Sequence, residues 1–125
     1  METETLVAFD QTPAELERLL AAAAPPFPEF AAMRRDLDAW RANPRVIAAL
    51  AESAPLLAHL DQIPQTTFTR YRAFATTGDR APYETPYYAK RTNLHAAALR
   101  LLLGDDWYKG HVEDYLWNIC EETSC

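Results

Sequence analysis

At 125 residues the chain suits one domain, long enough to bury roughly two thirds of its unfolded surface, and its 49% hydrophobic and 24% charged content is ordinary for a folded soluble protein. A formal net charge of -6 argues against nucleic acid or an anionic membrane as the general partner. No apolar run approaches the ~20 residues a membrane span needs, because Glu52, Pro55 or Gly104 interrupts the longest candidates.

The start, Met1-Glu2-Thr3-Glu4-Thr5, is acidic and has no basic stretch leading into an apolar one, so it does not read as a secretory signal. Thr12-Pro13-Ala14-Glu15 is a capping box, in which the threonine hydroxyl accepts a backbone N–H and the glutamate reaches back. Leu16, Leu19, Leu20 and Ala23 follow at helical spacing, and the run Pro25-Pro26-Phe27-Pro28 ends that helix. A second predicted helix carries Phe30, Met33, Leu37 and Trp40 on one stripe and stops at Asn43-Pro44. A third starts near Arg45 and carries Val46, Ile47 and Leu50, with Pro55 breaking or kinking it before Leu57 and Leu60.

Beyond Ile63-Pro64 the leucine- and alanine-rich text gives way to aromatic and basic residues. Phe68, Tyr71 and Phe74 form a short helical stripe ended by Gly78. A long helix is predicted over 86–103, with Gly104 as its left-handed cap, and a last helix capped by Asp105 or Asp106 runs to about Cys120. Strand signals are nearly absent. The reading is a single all-α domain over 1–125, with leading helices over 1–62 and an αα block over 63–125. Thr77-Gly78-Asp79 and Leu103-Gly104-Asp105 close successive helices 26 residues apart, which suggests stacked αα-hairpins of a solenoid or toroid.

Charge is unevenly spread. Residues 66–100 hold Arg70, Arg72, Arg80, Lys90, Arg91 and Arg100 against Asp79 and Glu84, a local +4 that leaves -10 for the remainder. Such an island serves a small anionic ligand or is a set of solvated arginines. On a helical wheel at about 100° per residue, Tyr87, Leu94, Ala98 and Leu101 cluster. Tyr88, Arg91, His95, Leu99 and Leu102 extend the arc, while Ala89, Asn93 and Arg100 fall outside it. An arginine in a buried stripe needs acceptors. Either an acid such as Glu84 or Glu121 pairs with Arg91, or the face lines a groove and a ligand carboxylate does. In the last helix Tyr108, Val112, Tyr115, Leu116 and Ile119 make a core stripe. Trp117 points the other way, beside Gly110, Glu113 and Glu121, where its indole can stack on a sugar ring or pack on a further helix.

The runs Phe74-Ala75-Thr76-Thr77-Gly78-Asp79-Arg80 and Tyr87-Tyr88-Ala89-Lys90-Arg91, then Leu94, Leu102-Leu103-Gly104-Asp105, Tyr108 and Asp114-Tyr115-Leu116-Trp117-Asn118-Ile119-Cys120-Glu121-Glu122, resemble a block of the heparinase II/III-like polysaccharide lyases and related alginate lyases. The resemblance covers about half the chain. It implies an arc of an incomplete (α/α) toroid, the N-terminal portion of a larger enzyme that cleaves acidic glycans by β-elimination. In that family a tryptophan and a Pro-Ala-His segment follow the block, and Cys125 stands at about that tryptophan's place. The resemblance puts the eliminating tyrosine and histidine farther along, so no residue here inherits a catalytic role and the chain is not expected to act alone.

The expected substrate-binding residues are Tyr88, Arg91, His95 and Trp117, with an acidic oligo- or polysaccharide as partner and neither nucleic acid nor membrane. No cofactor is expected. No metal is expected either, because His59, His95 and His111 lack ligand spacing. Cys120 and Cys125 form no disulfide framework, which with the leader reading suggests the cytoplasm. Self-association is expected through Val112, Tyr115 and Trp117 on the exposed flank of the last helix. The competing reading is a helical-repeat interaction module without catalysis.

Overall fold

A computed structural model describes residues 12–23 and 28–122. Every regular element among them is helical, and no helix among them is long and apolar enough to cross a membrane. The contacts divide the chain into two units, 1–32 and 33–125. The stop read at Pro25-Pro26-Phe27, the Phe30 side chain and Cys125 lie outside the described residues.

In the first unit, helix α1 spans Pro13–Ala22 and has the full capping box. The Glu15 amide donates to Thr12 Oγ1 at 3.4 Å and the Thr12 amide to Glu15 Oε2 at 3.0 Å, satisfying two of the donors a helix start leaves over. None of its residues is buried, so Leu16, Leu19 and Leu20 stand exposed.

The single helix expected from Phe30 to Trp40 is two: α2, Pro28–Arg35, and α3, Leu37–Ala42. Asp36 causes the break. Its carboxylate accepts the Ala39 amide at 3.2 Å, a local bond that competes with helix continuation. Asn43 then closes α3 and caps α4, Pro44–Ser53, whose first position is the proline. Pro55 does change the helix: residues Ala54–His59 tighten into a 3-10 segment.

Helix α5, Phe68–Thr77, ends at Gly78 with φ 75°. Helix α6, Ala81–Leu102, starts a turn earlier than expected and runs through Pro86. Pro86 lies inside the helix as its sixth residue, where it has no N–H to donate to the Pro82 carbonyl. Gly104, at φ 95°, makes the next joint. Asp105 caps a 3-10 turn, Asp106–Tyr108, that leads directly into α7, Lys109–Cys120.

Helix α6 is the spine of the second unit, packing on α7, α5, α4 and the 3-10 segment. Its core is Leu60, Ala97, Val112 and Tyr115, flanked by Leu57, Ile63, Leu94, Ala98, Leu101 and Tyr108. Two arginines fasten helix ends to it. Arg41 donates to the Leu103 carbonyl from Nε at 3.0 Å and Nη2 at 2.7 Å. Arg100 donates to the Leu50 carbonyl at 2.8 Å and to Ser53 Oγ at 3.0 Å, supplying cationic donors at the end of α4. Part of the basic island is therefore structural.

Candidate functional site

The N-terminal half of α6 and the facing side of α5 carry a ladder of aromatic rings. Tyr71 meets Tyr83 edge to face at 5.6 Å, Tyr83 stacks on Tyr87 at 5.9 Å, and Tyr87 meets Tyr88 edge to face at 5.2 Å. Spacing explains the ladder: residues 83 and 87 are one turn apart on α6, so their rings lie over each other. Arg91, one turn further, places its guanidinium 3.4 Å from the centre of the Tyr87 ring. Arg80, just before α6, lies 5.1 Å above the Phe74 ring.

Two hollows share the Tyr71–Tyr83 pair as a common wall. One, about 570 Å³, is bounded by Phe74, Arg80, Glu84, Tyr87 and Tyr88 as well. The other, about 440 Å³, reaches Gln65, Thr66, Phe68, Lys90, Asn118 and Glu122 among its lining. Both volumes fall in the range of ligand-binding clefts.

Beneath the second hollow lies an ion cluster. Glu122, just past the end of α7, accepts from Lys90 Nζ at 2.6 Å and from Thr66 Oγ1 at 3.2 Å on one oxygen. Its other oxygen accepts from Arg91 Nη2 at 2.8 Å. Lys90 is 1% exposed and Glu122 5%, whereas Arg91 is 27% exposed. Burial pushes the Glu122 carboxyl up, but the hydrogen bonds and charges of Lys90 and Arg91 outweigh it and hold it below the usual carboxylate range. Among the described residues no three of His, Cys, Asp and Glu gather as a metal site would require.

Of the expected site residues, Tyr88 is 60% exposed and lines the larger hollow. Arg91 finds its acid, but it is Glu122 rather than Glu84 or Glu121. His95 is exposed rather than part of a buried stripe, and it lines neither hollow. Trp117 is 69% exposed on α7 and is also outside both. Val112 and Tyr115, expected on an open flank, lie buried against α6, and Leu116, placed in the core stripe, is exposed instead. The inward face of α6 carries Pro86, Lys90, Asn93 and Ala97, with Asn93 donating to the Tyr115 hydroxyl at 3.2 Å. Sequence reasoning missed Lys90 and Asn93 because a wheel scores them as polar. The usable signal was their i, i+3 spacing in line with Ala97.

Among the described residues, fold and site define an all-helical protein with an aromatic, arginine-bearing face on two packed helices. Compared with protein families, curated proteins and solved structures, the chain matches none.

Proposed function

We propose that this chain is a saccharide-binding helical arc of the heparinase II/III type, contributing groove surface for a uronic-acid-containing glycan and not carrying out β-elimination alone. The observation that carries the reading is the hollow between α5 and α6, walled by Tyr71, Phe74, Tyr83, Tyr87 and Tyr88 with Arg80 at its edge. Aromatic rings accept the apolar C–H face of a pyranose, and an arginine fork accepts its carboxylate. Arg80 is weakly committed, because its pair with Glu84 spans 3.9 Å between exposed groups and such pairs contribute little. A substrate carboxylate therefore displaces Glu84 cheaply. The short joints at Gly78 and Gly104 suit the αα-hairpins of an incomplete toroid.

Calorimetric titration with oligouronides and with neutral oligosaccharides of equal length tests the reading. Acidic glycans are expected to bind more tightly, and Tyr88→Ala or Arg80→Ala to weaken them about tenfold, the equivalent of roughly 1.4 kcal/mol. Equal binding of neutral glycans, or indifference to both substitutions, would refute it. The chain incubated with alginate or heparin is expected to give no ultraviolet signal of unsaturated uronide.

A second reading, a helical interaction module, is favoured by α1, whose leucines are exposed at helical spacing with no buried residue in the helix. Light scattering decides whether that stripe associates: a concentration-dependent mass abolished by Leu16→Glu and Leu20→Glu supports the module.

A further inference from the structure

The Glu122 cluster has the form of a receptor with its guest in place. Each carboxylate oxygen is met by a different cation, and one also by a hydroxyl, so both acceptor edges are engaged. Part of the host side is fixed without the guest. Lys90 and Arg91 are adjacent residues in the middle of the 22-residue helix α6, and Arg91 is held independently by the Tyr87 carbonyl at 2.9 Å and by the ring beneath it. The guest side is less constrained, since Glu122 lies beyond α7 and its amide makes one bond, to the Ile119 carbonyl at 3.1 Å. An open hollow leads to the same atoms, bringing Gln65, Thr66, Lys90 and Asn118 to its surface between the Phe68, Tyr71 and Tyr83 rings.

Electrostatics strongly disfavours the empty state. Lys90 is buried, and an unpaired buried ammonium is strongly unfavourable. Glu122 therefore leaves at least cost when another anion takes over, which makes the site an exchange between carboxylates.

We propose that Lys90, Arg91 and Thr66 form a carboxylate-binding site that the chain occupies with its own Glu122 and that the carboxylate of a small organic acid takes over, its body lying in the hollow against Tyr71 and Tyr83. The site is distinct from the Tyr88 hollow and does not depend on the saccharide reading. Occupation by Glu122 lowers the apparent affinity for a ligand by the fraction of chains in which the latch is open.

The test is an NMR titration of the full, isotope-labelled chain with sodium acetate, sodium glucuronate, glucose and sodium chloride at matched ionic strength. The Thr66, Lys90, Arg91 and Glu122 amides are expected to shift saturably with both carboxylates and not with glucose or chloride. Glucuronate binding more tightly than acetate shows that the hollow holds a ring. Glu122→Ala is expected to bind carboxylate at least tenfold more tightly than the parent, and to recover thermal stability saturably as carboxylate is added. If that variant folds only when carboxylate is present, the site is supported. Static wild-type amides, equal shifts with chloride, or a Glu122→Ala chain that neither binds nor is rescued by carboxylate would each overturn it. Glycan binding at Tyr88 can persist in all three cases, so the two readings fail separately.

Discussion

Truncating Glu122 to alanine is the sharpest test of how the second unit holds together. In the native chain its carboxylate compensates a lysine that is 1% exposed and an arginine that is 27% exposed. Removing one partner of a buried pair costs about 3–5 kcal/mol, because the other charge stays behind without water or counter-ion. The deficit of Glu122→Ala should therefore be about 3–5 kcal/mol near neutrality. Total stabilities of ~5–15 kcal/mol leave such a variant folded but much weakened. Urea unfolding followed by far-ultraviolet circular dichroism, in carboxylate-free buffer at about pH 7, measures the difference. A deficit below about 1 kcal/mol would refute the reasoning, because the pairing would then be loose enough for water to do the work of Glu122.

Four further outcomes follow from particular contacts. The Glu122 carboxyl titrates below its ordinary 4.5, so its contribution is complete above that value and is lost as the pH falls through the lowered folded value. Acid unfolding of the parent should accordingly be steeper than that of Glu122→Gln, as a melting-temperature series in falling pH would reveal. Burial foremost, with the nearby Asp61 charge, raises the Tyr115 phenol above its ordinary 10.0 despite the Asn93 bond. The stability tied to the neutral phenol is therefore present below 10.0 and lost as the pH rises through the raised value, and Tyr115→Phe should blunt alkaline unfolding at a neutral-pH cost of about 1 kcal/mol. Gly104→Ala should cost about 2–3 kcal/mol, since φ is 95° and the new methyl would lie 2.8 Å from Arg41 Nη2, whereas Gly78→Ala, at φ 75° with open space around it, should cost only the backbone strain of ~1–2 kcal/mol. Equal losses in urea titration would contradict that comparison. Arg100→Met leaves the Leu50 carbonyl and Ser53 hydroxyl without their donor, and a loss of about 1–3 kcal/mol is expected by the same assay.

Much of the candidate site was half legible in the text. The aromatic residues of α5 and the tyrosines of α6 announced a change of character after Ile63, and Tyr88 does line a hollow with them. The wheel went astray on the same helix. It set Asn93 outside the buried arc and drew His95 into it, whereas the structure exposes His95 and buries Lys90 completely. A wheel ranks faces by the polarity of one helix's own residues. The inward face of α6 is set by partners far along the chain: Glu122 for Lys90, and Tyr115 for Asn93. A polar residue with such a partner is a legitimate interior residue, and nothing local distinguishes it from a solvated one.

Local chemistry was sufficient wherever a few neighbouring residues decide the conformation. The Thr12–Glu15 box, Asn43-Pro44, the change at Pro55 and the left-handed glycines at 78 and 104 all follow from bonds and steric limits within one turn of chain. The helical character of the described residues was determined by the sequence alone on that basis. What only the tertiary structure decided is which side of α6 faces inward, which acid answers Arg91, and that Arg41 and Arg100 bind helix ends instead of ligand. Those choices depend on electrostatic and hydrogen-bond partners separated by 22 to 62 residues, and short-range periodicity has no access to them.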